Sequence, residues 1–219
     1  FKKKNSITVI VAGKTDLPEW LSLAEAKEQA KKGIGIWEWV GGKEGTKNPD
    51  VVLASAGDYV TQEAILGAKL CKEMMPELKF RYVNVSELTS ICLGDNLGRY
   101  AEKDVNHYFT HDRPVVFNYH GYVNDVEQIL WPYTTSARFS IHGYKEEGST
   151  TTPFDMTIRN GVSCYHIAID MIEKGAVRNK AVAKKKIAVI AALHEKISEH
   201  QKYIAKYGDD PEWVKGMRW

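Results

Sequence analysis

Val51-Val52-Leu53-Ala54-Ser55-Ala56-Gly57-Asp58-Tyr59-Val60-Thr61-Gln62-Glu63-Ala64-Ile65 is the stretch that decides the fold class. Residues 51–56 are apolar or small without interruption, as in a strand covered on both faces of a sheet. Gly57-Asp58 leads straight into a helix from about residue 61 to 75, whose Ile65, Ala68, Cys71 and Met75 share one face. Pro76 stops that helix, and residues 80–85 supply the next strand. This is the pattern of a βαβ unit.

The alternation repeats outward from it. Residues 7–12 (Ile-Thr-Val-Ile-Val-Ala) read as a first, doubly covered strand. Ser22 with Glu25 is a capping box opening a helix to about Lys32. Residues 34–40 carry Trp37 and Trp39, and residues 41–48 read as an exposed, mobile excursion. Residues 114–118 and 137–141 are the last two strands. Short helices fall at 86–91 and 102–109, and Asn124 and Glu127 can cap another that ends near Leu130. Residues 141–160 form a long polar loop, since Gly148, the hydroxyl run 149–152 and Pro153 cannot be a helix interior. Helices over 161–174 and 181–206 follow, the second lined by Ile190, Leu193, Ile197 and Ile204, and a tail closes the chain.

Strands alternating with helices predict one α/β domain over residues 1–219, built on a mostly parallel sheet. Right-handed crossovers then bring Lys14, Asp58, His120 and the 141–160 loop to one edge of the sheet. Ligands and partner domains usually meet such sheets at that edge.

Composition narrows the function. With 43% hydrophobic residues in 219 there is material for a sizeable core. A net charge of +2, with both signs interspersed, gives no electrostatic case for nucleic acid or an anionic membrane. No apolar run has the length of a bilayer span, and no signal-peptide pattern is visible. Cys71, Cys92 and Cys164 are odd in number and far apart, the mark of reduced thiols in a cytoplasmic protein. A chain opening on Phe1 and Lys2-Lys3-Lys4 reads as a piece of a longer one.

Lys14 follows a glycine at a strand end, where an ammonium can pair with phosphate or simply face solvent. Gly13-Lys14-Thr15 lacks the earlier glycine of a P-loop. Asp58 is most simply an N-cap. His120, between Tyr119 and Tyr122, can donate to phosphate, act as a base, or be packed among the rings. His107 and His111 lie four apart, but the second falls in a loop, so no metal is expected. With no nucleophile elbow and no Gly-Asp-Gly motif, the residues describe a binding edge without a self-sufficient catalytic centre. A regulatory module that binds an anionic metabolite at this edge remains one reading.

Residues 143–156 (Gly-Tyr-Lys-Glu-Glu-Gly-Ser-Thr-Thr-Thr-Pro-Phe-Asp-Met) resemble the C-terminal domain of phosphoketolases. So do Val11-Ala12-Gly13-Lys14, residues 49–54, Ala56-Gly57-Asp58, Val83-Asn84-Val85 and Tyr119-His120-Gly121-Tyr122. The resemblance covers essentially the whole chain. It implies a transketolase C-terminal-domain-like three-layer sandwich around a mixed, mostly parallel five-stranded sheet. It implies a parent enzyme that uses thiamine diphosphate and Mg2+ to cleave xylulose 5-phosphate, and in many members fructose 6-phosphate, with phosphate. The cofactor then lies between two preceding domains, across a homodimer or higher oligomer. The chain itself binds no cofactor, holds no catalytic residue and is inactive alone. Lys14 matches a family lysine that reaches toward the sugar phosphate. His120, Tyr144, Lys145, Glu146, Glu147, Ser149, Thr150, Thr151 and Thr152 become channel or interface residues. Two departures stand out: Ser149 replaces a more usual threonine, and Cys164 stands where an arginine is expected.

Overall fold

A computed structural model describes residues 9–13, 16–93, 101–147 and 150–217. Five strands form one mixed sheet in the order β1-β3-β2-β4-β5. They are β1 (Ile34–Ile36), β2 (Val51–Ala56), β3 (Phe80–Val85), β4 (Val115–Tyr119) and β5 (Phe139–Gly143). The last four run parallel, and β1 pairs antiparallel with β3, Ile34 opposite Val85. The period-2 alternation of β2 divides the core. Val51 and Leu53 face α4 (Asp58–Met74), α8 (Cys164–Ala176) and α9 (Lys180–Tyr207), whereas Val52 and Ala54 face α5 (Glu102–Phe109) and α6 (Val123–Leu130). The result is three layers, helices on both faces of an α/β sheet.

Local sequence explains most boundaries. Ser22 and Glu25 close the capping box of α1 (Leu23–Lys32), and Gly33 ends it in the left-handed region at φ 75°. Asn179 accepts from the amides of Ala181 and Val182 to start the 28-residue α9, and Gly208 stops it.

Several expectations need correction. Of the strand expected over residues 7–12, residues 7 and 8 lie outside the described residues and residues 9–12 are not a strand. A strand needs a ladder partner, and the edge beside β3 is taken by β1, so Val9, Ile10 and Val11 are left more than four-fifths exposed (81%, 82% and 83%). Residues 41–48 are not a loose excursion but part of two short helices, α2 (Glu38–Gly41) and α3 (Lys43–Lys47). Their glycines allow close approach to β3: a Cβ on Gly41 or Gly45 would lie 2.5 or 2.3 Å from the Phe80 carbonyl oxygen. α6 begins at Val123, so Asn124 and Glu127 lie inside it rather than capping it. Residues 141–160 are not one loop. Thr152 caps a further helix, α7 (Pro153–Arg159), accepting from the Asp155 amide at 3.2 Å, and Pro153 takes the first helical position, where its missing N–H costs nothing. α8 accordingly starts at Cys164, later than Gly161. A last short helix, α10 (Glu212–Lys215), sets Val214 into the core.

Candidate functional site

β2, β3 and β4 end on the same side of the sheet, and the segments that follow them build the site. Gly57, after β2, has φ 115°, and a Cβ there would lie 2.4 Å from the His120 Cβ. His120, after β4, therefore packs on bare glycine backbone, and its amide donates to the Ala56 carbonyl at 2.9 Å. Below it Asn118 is fully buried and donates to the carbonyls of Val60 and Val162, both at 3.1 Å, joining α4 to the segment before α8. A cavity of about 680 Å3 opens over these strand ends, with Val11, Asp58, Ser86, Glu87 and His120 among its walls.

The imidazole of His120 has its Nε2 3.2 Å from Glu146 Oε1, and its ring centre lies 5.0 Å from Tyr144 and 6.1 Å from Tyr59. Glu146 holds φ 57°, a left-handed conformation unusual for a residue with a Cβ. Tyr144 is buried against Val60 and Val162 and donates its amide to the Tyr119 carbonyl at 2.8 Å. Burial, then the neighbouring Glu146 charge, pushes its phenol up to about 12. Asp58 is the first residue of α4, after the N-cap Gly57, and its carboxylate accepts from the Gly13 amide at 2.6 Å. It tethers the incoming segment to the sheet edge instead of capping a helix.

The remaining residues singled out from the loop divide into two groups. Lys145 and Glu147 are exposed, pair with one another at 3.5 Å, and bond to Asn160 through the Lys145 amide and the Glu147 carbonyl. Thr150 is exposed. Thr151 and Thr152 point inward: the Thr151 hydroxyl donates to Asp155 and the Thr152 hydroxyl to Asp210, both at 2.7 Å. Asp155 is buried, receives Arg159 Nε at 2.5 Å, and lies 3.7 Å from Nδ1 of the wholly buried His200. His200 Nε2 in turn meets Asp210 at 3.0 Å. Thr152 thus fastens α7 to the C-terminal tail, while Thr151 braces the Asp155 carboxylate of α7 itself. Lys14 and Ser149 lie outside the described residues.

His200 did not stand out in the sequence, though its spacing from Ile197 and Ile204 placed it on the apolar stripe of α9. Glu63 was also missed. It lies inside α4, is 5% exposed, and accepts the Cys164 amide at 2.7 Å. Burial drives its carboxyl up to about 7 against the lowering effect of the Cys164 bonds. Behind the strand ends a hydrogen-bonded chain runs from Trp37 through Gln29 and Asn84 to Ser55, Thr61 and Tyr82. Such a satisfied buried network holds the strand ends in a fixed register.

Chemically, the described edge offers one imidazole, hydroxyls and carboxylates. Asp58 and Glu87 make the cavity a poor receptor for a diphosphate, and among the described residues no group of three or more His, Cys, Asp or Glu is placed to hold a metal ion. No helix among the described residues is long and apolar enough to cross a membrane.

An α/β domain with a walled cavity at its strand ends is a class shared by many proteins. Comparison narrows it: residues 14–219 match the family model described as the XFP C-terminal domain, and the chain belongs to that family. It is 36% identical over 219 residues to "Probable phosphoketolase 1" of Rhizobium meliloti (strain 1021), covering 100% of this chain and 27% of the relative. It is 38% identical over 216 residues to "Probable phosphoketolase" of Bradyrhizobium diazoefficiens, covering 98% of this chain and 26% of the relative. The chain thus spans about a quarter of the length of the curated relatives it matches. Among solved structures, transketolase from Leishmania mexicana has a TM-score of 0.44 at 13% identity, over 68% of this chain and 19% of that one, a likeness too slight to argue from.

Proposed function

We propose that this chain is a single domain with its body over residues 14–219, the C-terminal domain of a thiamine-diphosphate-dependent phosphoketolase. The whole polypeptide would cleave D-xylulose 5-phosphate, and D-fructose 6-phosphate where accepted, with inorganic phosphate to give acetyl phosphate, an aldose phosphate and water. The match of residues 14–219 to the C-terminal-domain family carries this reading. Thiamine diphosphate and Mg2+ belong to the two preceding domains and to the homodimer or higher oligomer they form, in the cytoplasm. The described residues of this chain do not fit that cofactor, because the carboxylates of Asp58 and Glu87 at the cavity would repel its diphosphate.

In this reading the domain is a scaffold and interface that borders the substrate channel. Lys14 supplies an ammonium to the sugar phosphate, a charge-assisted contact that orients substrate without taking part in bond breaking. His120, held by Glu146 and the Tyr144 ring, lies at the rim of the cavity where a hydroxyl of substrate can meet it. Lys145 and Glu147 are exposed and suited to ion pairs with a neighbouring domain.

The test is acetyl phosphate formation from xylulose 5-phosphate and phosphate, with thiamine diphosphate and Mg2+ supplied. The purified 219-residue chain is expected to give none and the full-length polypeptide to turn over. Turnover by the short chain overturns the scaffold role. The regulatory alternative, an anionic metabolite at the strand ends, is the weaker reading because Asp58 and Glu87 face that cavity. A saturable tryptophan-fluorescence change on titrating phosphate, sugar phosphates or nucleotides would reverse that order.

A further inference from the structure

Three consecutive β-branched residues, Val9, Ile10 and Val11, are 81%, 82% and 83% exposed. That composition belongs to a covered strand, and a contiguous exposed apolar run marks an interaction surface. The segment does not settle on its own domain. Val9, Val11 and Ala12 stand over the strand ends with the cavity of about 680 Å3 beneath them, and no ladder partner is present among the described residues. The Gly13 amide, bonded to Asp58 Oδ2 at 2.6 Å, fixes the segment where it meets the sheet edge.

Two observations identify what covers it. The C-terminal-domain family match begins at residue 14, immediately after this run. The similarity to the Rhizobium relative instead extends through all 219 residues, so the relative carries a counterpart of residues 9–12, the stretch that the family match on this chain leaves out. We propose that residues 9–12 are a strand of a sheet in the preceding region of the same polypeptide. Their backbone continues that sheet's ladder by strand addition and their side chains enter its core. The Gly13–Asp58 bond is then the joint at which one folding unit hands over to the next. This inference rests on the reading of the chain as the C-terminal part of a phosphoketolase.

Backbone hydrogen exchange on two samples tests it, this chain alone and the longer polypeptide that includes the preceding region. The amides of residues 9–12 are expected to exchange about a hundredfold or more slowly in the longer polypeptide, and near intrinsic rates in this chain. Ile10→Pro, which removes a ladder donor, should lower the thermal midpoint of the longer polypeptide and leave that of this chain unchanged. Val11→Ser should do the same more mildly if the proline variant fails to fold. Equal exchange in both samples, with the longer polypeptide active on ketose phosphate, overturns the inference and leaves the phosphoketolase reading standing. Protection in this chain that rises with its concentration also overturns it and names a second copy as the partner. A longer polypeptide without phosphoketolase turnover removes the reading and the inference together.

Discussion

Glu63→Gln is expected to leave the stability of this domain unchanged at pH 4 and to raise it above pH 7.5. Glu63 is 5% exposed and its carboxyl faces the start of α8, accepting from the Cys164 amide at 2.7 Å. Burial raises it from 4.5 to about 7, the Cys164 bonds pulling the other way. A carboxyl carried from 4.5 to about 7 corresponds, at roughly 1.4 kcal/mol for each tenfold change in proton affinity, to about 3 kcal/mol. The folded state holds this proton more tightly than the unfolded chain. Its contribution is therefore fully present below pH 4.5 and is lost as the pH rises through 7. Glutamine keeps an acceptor for the Cys164 amide and cannot ionise, so it removes the loss. Cys164 does not confuse the window, because burial, then the Glu63 charge, raises its thiol well above the usual range. Urea unfolding of both proteins from pH 4 to pH 8.5 reads the difference directly. In thermal unfolding it amounts to about 6–12 °C at the alkaline end for a chain of this size. Parallel pH profiles for the two proteins, or a variant less stable at pH 8, would refute the reasoning.

Three further outcomes can be measured. Gly57→Ala puts a Cβ 2.4 Å from that of His120 at φ 115°, and should destabilise by about 1–3 kcal/mol in chemical denaturation; a neutral result would show that the edge can shift. His200→Ala leaves the buried Asp155 and the half-buried Asp210 without their shared imidazole and should cost about 3 kcal/mol by calorimetry. A loss below 1 kcal/mol would mean that the threonines and Arg159 suffice. Lys14→Ala in the full-length enzyme is expected to raise KM for the sugar phosphate, with kcat/KM falling by the equivalent of about 2–3 kcal/mol. Unchanged kinetics would return Lys14 to solvent.

The parts of the fold that were legible were those in which local chemistry and burial agree. Residues 51–75 carry both the apolar run of β2 and the periodic face of α4, and the Ser22–Glu25 box starts α1 where expected. Pro153 misled because its rule is positional: excluded from a helix interior, it is favoured at the first turn, and it opens α7. Gly41 and Gly45 looked like flexible linkers because sequence does not reveal that a neighbouring backbone needs their missing Cβ. Residues 9–12 have strand composition but find no strand to pair with here, and pairing is a tertiary property. At the site, the juxtaposition of Asp58, His120 and the 141–160 stretch followed from right-handed crossovers, whereas the inward turn of Thr152 depended on Asp210, far away in sequence.

That last contact ties two remote stretches into one fastening. Thr152 and His200 share a single carboxylate oxygen of Asp210, 58 and 10 residues away respectively. The footing of α7 is therefore set by a residue just beyond the end of α9, like a belt whose buckle sits at the opposite end from the waist it closes. Trimming the chain after Gly208 would remove that oxygen and loosen α7 from its N-cap side. The integrity of the C-terminal tail is in this sense a condition for the seating of α7.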